Sequence, residues 1–198
     1  MKSRLLVLLI TFSGLAHYAQ SQIQSGILIN GGLGAIKTEL NSSTQEQFKT
    51  VDINYKYNLS LGYRFRIIPS TAPILFVDID ANVGFKLWNS AYIKSYMEPP
   101  IFSASSNYYF FSAAGTINYP IYKGFSVGAG FEPTYYFRQG GEGSNKKFDI
   151  PVIAKAGYRF NKFELGVTYK LGLMNTLQTN YLSSGKFRDL QLSLWIPF

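Results

Sequence analysis

The sequence predicts an all-β protein, an eight-stranded antiparallel up-and-down transmembrane β-barrel. Three observations carry this expectation. Apolar and polar residues alternate with a period of two in eight segments, the connections between them alternate between long and short, and aromatic residues gather at the segment ends. A period of two belongs to a strand, whose successive side chains leave opposite faces of the pleat.

Before the first strand, Lys2 and Arg4 precede an apolar run from Leu5 to Ala16, and Ala19-Gln20-Ser21 follows it. A basic start, a short apolar stretch and a small-residue site make a secretory signal peptide. The run is too short for a membrane-spanning helix, which takes about 20 residues. Cleavage is expected after Ser21, or alternatively after Ala19, so that residues 1–21 are the signal and 22–198 the barrel domain. Cleavage lowers the formal charge of +8 by two and removes His17, the single histidine. With no cysteine either, the mature chain lacks a thiolate metal site and a histidine base, and no cofactor or metal is expected. Its basic residues are dispersed, whereas nucleic-acid binding needs a clustered stripe.

The strands follow in order. Residues 25–36 form a glycine-rich first strand. Within it, residues 31–38 superficially resemble a phosphate loop, but Ile36 stands where a glycine should precede Lys37 and no helical pattern follows. Residues 51–67 are the clearest strand: Val51, Ile53, Leu59, Leu61 and Phe65 fall on one face, Asp52, Lys56, Arg64 and Arg66 on the other. Residues 75–87 set Val77, Ile79 and Val83 against Asp78, Asp80 and Lys86. Residues 108–119 alternate less cleanly, because Tyr108 and Phe110 fall on the polar side. Residues 125–138 carry Glu132 and Arg138 on the polar face, residues 148–160 carry Asp149, Lys155 and Arg159, and residues 163–173 carry Glu164 and Lys170. The last strand sets Leu190, Leu192, Leu194, Ile196 and Phe198 against Asp189, Gln191, Ser193 and Trp195. Pro133 and Pro151 fall inside strands, where they remove ladder donors and call for a bulge or strand end. Ile74, Phe76 and Ile153 sit on the polar face against the pattern, the first two as caps of one barrel mouth.

Twelve or so residues at about 3.3 Å each, tilted by about 40°, span a bilayer core. An eight-stranded barrel is just wide enough to be filled by side chains. The apolar faces carry too many Tyr and Phe to fit inside, so they meet lipid and the charged faces fill the lumen. The connections 37–50, 88–107 and 174–187 are long, whereas 67–73, 120–124 and 161–162 are short. That alternation places both termini on the periplasmic side of a Gram-negative outer membrane, with the long loops outside.

On these residues, and on the ending Leu192-Ser193-Leu194-Trp195-Ile196-Pro197-Phe198, the chain resembles the small eight-stranded outer-membrane barrels of the OmpA/OmpX architecture, the PorT-like group included. The resemblance implies that Phe198 is the terminal aromatic read by the barrel-assembly machinery, although Pro197 departs from the pattern. PorT-like relatives would imply a role in protein secretion. Barrel enzymes such as lipid A acyl-modifying barrels and omptin-like proteases use a histidine, so none of their site residues carries over.

The acidic and basic lumen residues nearly balance, which suggests a packed polar core of ion pairs; a small pore and a catalytic Asp78–Asp80 pair are the other readings. The expected function is therefore non-enzymatic: a porin-like envelope or adhesion component, or a subunit of a membrane assembly, acting through its outer loops or rim. The alternative is a narrow channel for ions or small solutes. Beyond membrane lipid, a protein partner is expected at the 88–107 connection, where Tyr92, Ile93, Tyr96, Met97, Ile101 and Phe102 cluster around Pro99-Pro100.

Overall fold

The computed structural model describes residues 22–40, 50–70, 74–93, 102–139, 147–176 and 182–198, so the expected signal peptide lies outside it. Its strands are β1 (Gln22–Leu40), β2 (Thr50–Ile68), β3 (Phe76–Ile93), β4 (Phe102–Tyr122), β5 (Phe125–Phe131), β6 (Thr134–Gln139), β7 (Phe148–Asp149), β8 (Val152–Arg159), β9 (Glu164–Leu171) and β10 (Leu182–Pro197). All pairings are antiparallel. Because β5 and β6 both pair with β4, they are two halves of one stave, broken at Glu132-Pro133. In the same way β7 and β8 are one stave broken at Ile150-Pro151, facing β6 and β5 respectively. β1 pairs with β10 from Gly26↔Pro197 to Leu40↔Leu182, which closes the ring at eight staves.

The two proline breaks lie side by side. Each proline lacks a donor but keeps its carbonyl, and both carbonyls are used: Ala113 N donates to Pro133 O (3.0 Å) and Glu132 N to Pro151 O (2.9 Å). Both carbonyls thus stay hydrogen-bonded where the ladder is interrupted. At the end that carries the termini the connections are tight. Lys123-Gly124 turns β4 into β5, with Gly124 at φ 80°, a left-handed conformation that favours glycine. Its carbonyl accepts from Arg159 N (2.8 Å), fastening this turn to the adjoining stave.

Several strands are longer than the alternation suggested. β3 runs on to Ile93 and β4 starts at Phe102, so the connection expected over 88–107 shrinks to 94–101. β10 starts at Leu182, inside the connection expected over 174–187. The alternation expected to run unbroken from Val51 to Ile67 is interrupted. A bulge at Lys56 shifts the β2–β3 register between Tyr55↔Trp88 and Tyr57↔Leu87, and such a bulge exchanges the two faces of a strand.

Candidate functional site: the lumen and the rim

The lumen is built in layers, starting at the end with the termini. Arg64 and Arg66 on β2 lie directly opposite Asp80 and Asp78 on β3. Directly opposite residues share a face, so each arginine meets its carboxylate in a two-pronged contact. Arg64 Nε and Nη2 donate to Asp80 at 2.7 and 2.8 Å; Arg66 Nε and Nη2 donate to Asp78 at 2.7 and 3.0 Å. Glu164 on β9 reaches across the barrel to both arginines, at 2.6 Å from Arg66 and 3.2 Å from Arg64. Lys155 on β8 completes the set on Asp78. Three cations and three carboxylates thus cancel in one buried cluster. Rings seal its edge: the Arg66 guanidinium lies 4.1 Å from the Phe76 ring centroid and 4.4 Å from that of Trp195. Phe76 is buried at this mouth, whereas Ile74, expected to cap it too, is 63% exposed. Half-buried Arg159 stands 5.4 Å from Trp195 and donates to Gln24.

The next layer is amide and hydroxyl. Asn30 donates to Ser60 (3.0 Å) and Asn82 (3.2 Å), and Gln191 to Asn58 (2.8 Å). Above it, Lys170 meets Glu132 at 2.5 Å, Ser112 donates to Glu132, and Lys86 meets Asp189 at 2.7 Å. Asp149 accepts from the backbone N–H groups of Ile150 and Met174.

At the end opposite the termini, Trp88, Tyr108, Phe110, Tyr136 and Phe187 pack into one buried aromatic cluster. Tyr108 sits centrally, its ring 5.6–6.1 Å from those of Trp88, Tyr136 and Phe187. Lys86 Nζ lies 4.4 Å from the Phe187 ring centroid, so cluster and ion pair are one plug. Two cavities between the layers measure about 20 and about 10 Å³, on the order of one water each.

Of the candidate lumen residues, Arg64, Arg66, Asp78, Asp80, Lys86, Glu132, Asp149, Lys155, Glu164, Lys170 and Asp189 meet inside the barrel. The side chains of Asp52, Lys56 and Arg138 lie outside the described residues. Asp78 and Asp80 are each committed to arginine. Tyr92 and Ile93 are the last residues of β3 and Phe102 the first of β4, with Tyr92 opposite Phe102; Tyr96, Met97 and Ile101 lie outside the described residues. Sequence reading assigned Trp88 and Phe187 to loops. Both were within reach of parity, since Trp88 follows Lys86 by two and Phe187 precedes Asp189 by two.

The rim is uneven. β3 and β4 pair over their whole length up to Tyr92↔Phe102, while β6 stops at Gln139 and pairs with β4 only up to Tyr108. On the other side, β1 and β2 pair only as far as Gly32↔Asn58. Among the described residues, the upper parts of β2, β3 and β4 therefore form a three-stranded sheet with free edges.

The outer wall reverses the lumen. Leu59, Leu61, Ile79, Val83, Ile117, Val167, Leu190 and Leu192 are exposed around it. Aromatic rings border this band at both ends. Toward the far rim, Tyr57, Phe85, Tyr109 and Phe137 touch in series across β2, β3, β4 and β6, at 6.3–6.5 Å between ring centroids. Toward the termini, Phe160 stacks on Phe163 at 4.7 Å and meets Tyr158 edge-on at 4.8 Å, and Tyr63 lies 6.2 Å from the terminal Phe198. Water does not tolerate a continuous apolar wall of this extent, and buried charges need the pairing found inside.

No family model and no curated protein matches the chain. Among solved structures, it is similar to the outer-membrane protein Ail of Yersinia pestis in a phospholipid nanodisc (12% identity, 87% of this chain and 99% of that one, TM-score 0.45). It is similar also to Ail in complex with the heparin analogue sucrose octasulfate (13%, 89% and 99%, TM-score 0.43). A third likeness is to the outer-membrane protein OprG of Pseudomonas aeruginosa (14%, 90% and 93%, TM-score 0.46). The architecture rests on the closed ladder rather than on these likenesses. With paired charge within, aliphatic side chains without and aromatic rings at both borders, the chain is a small eight-stranded transmembrane β-barrel of the outer-membrane kind.

Proposed function

We propose that the protein is a non-enzymatic component of a Gram-negative outer membrane that acts through its rim and loops, not through its lumen. The observation that carries this is the filled interior: a neutral cluster of six charges at one end, an aromatic plug at the other, and cavities of about 20 and 10 Å³ between. The carboxylates nearest to a catalytic pair, Asp78 and Asp80, are each held by an arginine guanidinium within the buried cluster. Tight turns at one end and longer connections at the other support periplasmic termini. The three-stranded sheet formed by the upper β2, β3 and β4 is the part best placed to dock a protein, since among the described residues its outer strands lack a neighbour there and unpaired strand edges are templates for pairing.

The test has two arms. Purified barrel in planar bilayers is expected to show no steady conductance; a reproducible open level would favour the narrow channel. Replacing residues 94–101 with a Gly/Ser linker is expected to leave the heat-modifiable barrel intact and to release a protein that co-purifies with the native chain from solubilised outer membrane. A partner that remains bound would place docking on another part of the rim.

A further inference from the structure

Outward-facing positions near the far rim include a group of cations that the lumen network does not use. On the β1–β10 seam, Lys37 lies directly opposite Lys186, and Arg188 lies opposite Ala35, one outward position nearer the membrane centre. Like charges directly opposite on one face of an antiparallel pair destabilise it. Within the described residues, no ion pair joins Lys37, Lys186 or Arg188 to an acid. The nearest acid on β1 is Glu39, whose carboxylate accepts from Ser184 Oγ (3.0 Å). Even counting Glu39 in full, the group carries a net charge of about +2, and the residue opposite Arg188 is the small Ala35.

What lies below them identifies the ligand. The next outward pair toward the membrane centre is Leu33↔Leu190, followed by Gly31↔Leu192. Leu33 is 65% and Leu192 67% exposed, among the most open aliphatic side chains on the wall. Cations above and bare leucines below, on the same two strands, complement a molecule with phosphates at its head and acyl chains beneath. We propose that Lys37, Lys186 and Arg188 form a binding site for the phosphorylated headgroup of a membrane lipid, whose chains lie along Leu33, Leu190 and Leu192. The bound anion removes the repulsion that the sequence builds into the seam. Given the orientation proposed above, this lipid belongs to the outer leaflet; the recognition chemistry itself does not depend on that orientation.

The probe is diphosphorylated lipid A, incorporated at a low fraction in phosphatidylcholine nanodiscs. Native mass spectrometry of barrel released from them is expected to show lipid A retained several-fold above its bulk fraction, and above its dephosphorylated form. Lys37→Gln/Lys186→Gln/Arg188→Gln is expected to abolish this enrichment. Lys123→Gln/Lys162→Gln, which removes two cations from the turns at the opposite end, is expected to preserve it. Equal retention of the phosphorylated and dephosphorylated forms, or retention unchanged in the triple variant, overturns the proposal. Millimolar inorganic phosphate that displaces lipid A completely also overturns it, since the site would then be a simple anion site with no hold on the acyl chains. Heat-modifiability reports folding of each variant. If the triple variant does not fold, Lys186→Gln alone is expected to reduce the enrichment, and unchanged enrichment in that variant overturns the proposal.

Discussion

Asp78 holds three partners at once: Arg66 in a two-pronged contact, Lys155, and Arg64 at 3.7 Å. The value of such a buried group lies in its balance. Removing one member leaves an uncompensated charge, at a cost of about 3–5 kcal/mol. Asp78→Asn is expected to lower stability in urea titrations of the folded barrel, and Lys155→Gln likewise. Combined, the two restore neutrality, so their effects should fall short of the sum by about 0.5–3 kcal/mol; simple additivity would show that the cluster does not act as a unit. A second contrast concerns space. A Cβ on Gly62 would stand 2.1 Å from Asn82 Oδ1 and 2.5 Å from the Ala81 carbonyl, whereas one on Gly115 would meet nothing within 4 Å. Gly62→Ala is therefore expected to cost about 1–3 kcal/mol by forcing strands apart. Gly115→Ala should stay within about 0.5 kcal/mol of the parent. Similar losses at both sites would mean that lumen crowding does not set the barrel's width.

Strands carry the membrane argument, and it is open to a depth test. Val167 lies mid-strand on the outer wall, opposite Leu192, and Tyr122 lies next to the Lys123-Gly124 turn. Val167→Arg should cost about 2–4 kcal/mol in lipid vesicles, and Tyr122→Arg about 0–1. Equal costs would contradict the placement of the apolar band. Strand existence was legible from the sequence because lipid outside and charge inside impose a strict alternation, as along Leu59 to Ile67. Strand length was not. Trp88, Tyr108, Phe110 and Phe187 are rings inside the barrel, so the rule of apolar outside fails where the plug is built. Beyond the plug, Ser103, Ser105 and Ser106 in β4, and Ser184 and Gly185 in β10, have loop chemistry although they lie in ladders. There the strands have left the lipid, and nothing forces alternation. The candidate lumen site followed the same division: charges between Arg64 and Asp189 were identified by parity, as were Tyr108 and Phe110 on the polar side, whereas Trp88 and Phe187 were assigned to loops. The bulge at Lys56 left no sign in the side-chain pattern, because the alternation of apolar and polar residues runs straight through it from Val51 to Ile67.

In the molecule as a whole, β1 and β10 meet at Gly26↔Pro197, and Phe198 N donates to Ser25 O (2.9 Å). Once closed, the wall has no first stave and no last one; the point where the chain begins is an accident of synthesis. A gene reordered to start in the 140–147 connection, with residue 198 spliced to residue 22 by a short linker, encodes the same ladder. Adjacent termini and a cut in a connection are the conditions under which such rearrangement is tolerated. The reordered chain is expected to refold from urea into detergent micelles and to keep its heat-modifiable migration. Failure to refold would mean that the β1–β10 seam must form from free ends. Within cells the outcome should differ. Splicing moves Phe198 from the chain's end to its interior, so membrane delivery should fall if the assembly machinery reads that aromatic as a terminus. One rearrangement thereby separates what the barrel needs to exist from what the cell needs to recognise it.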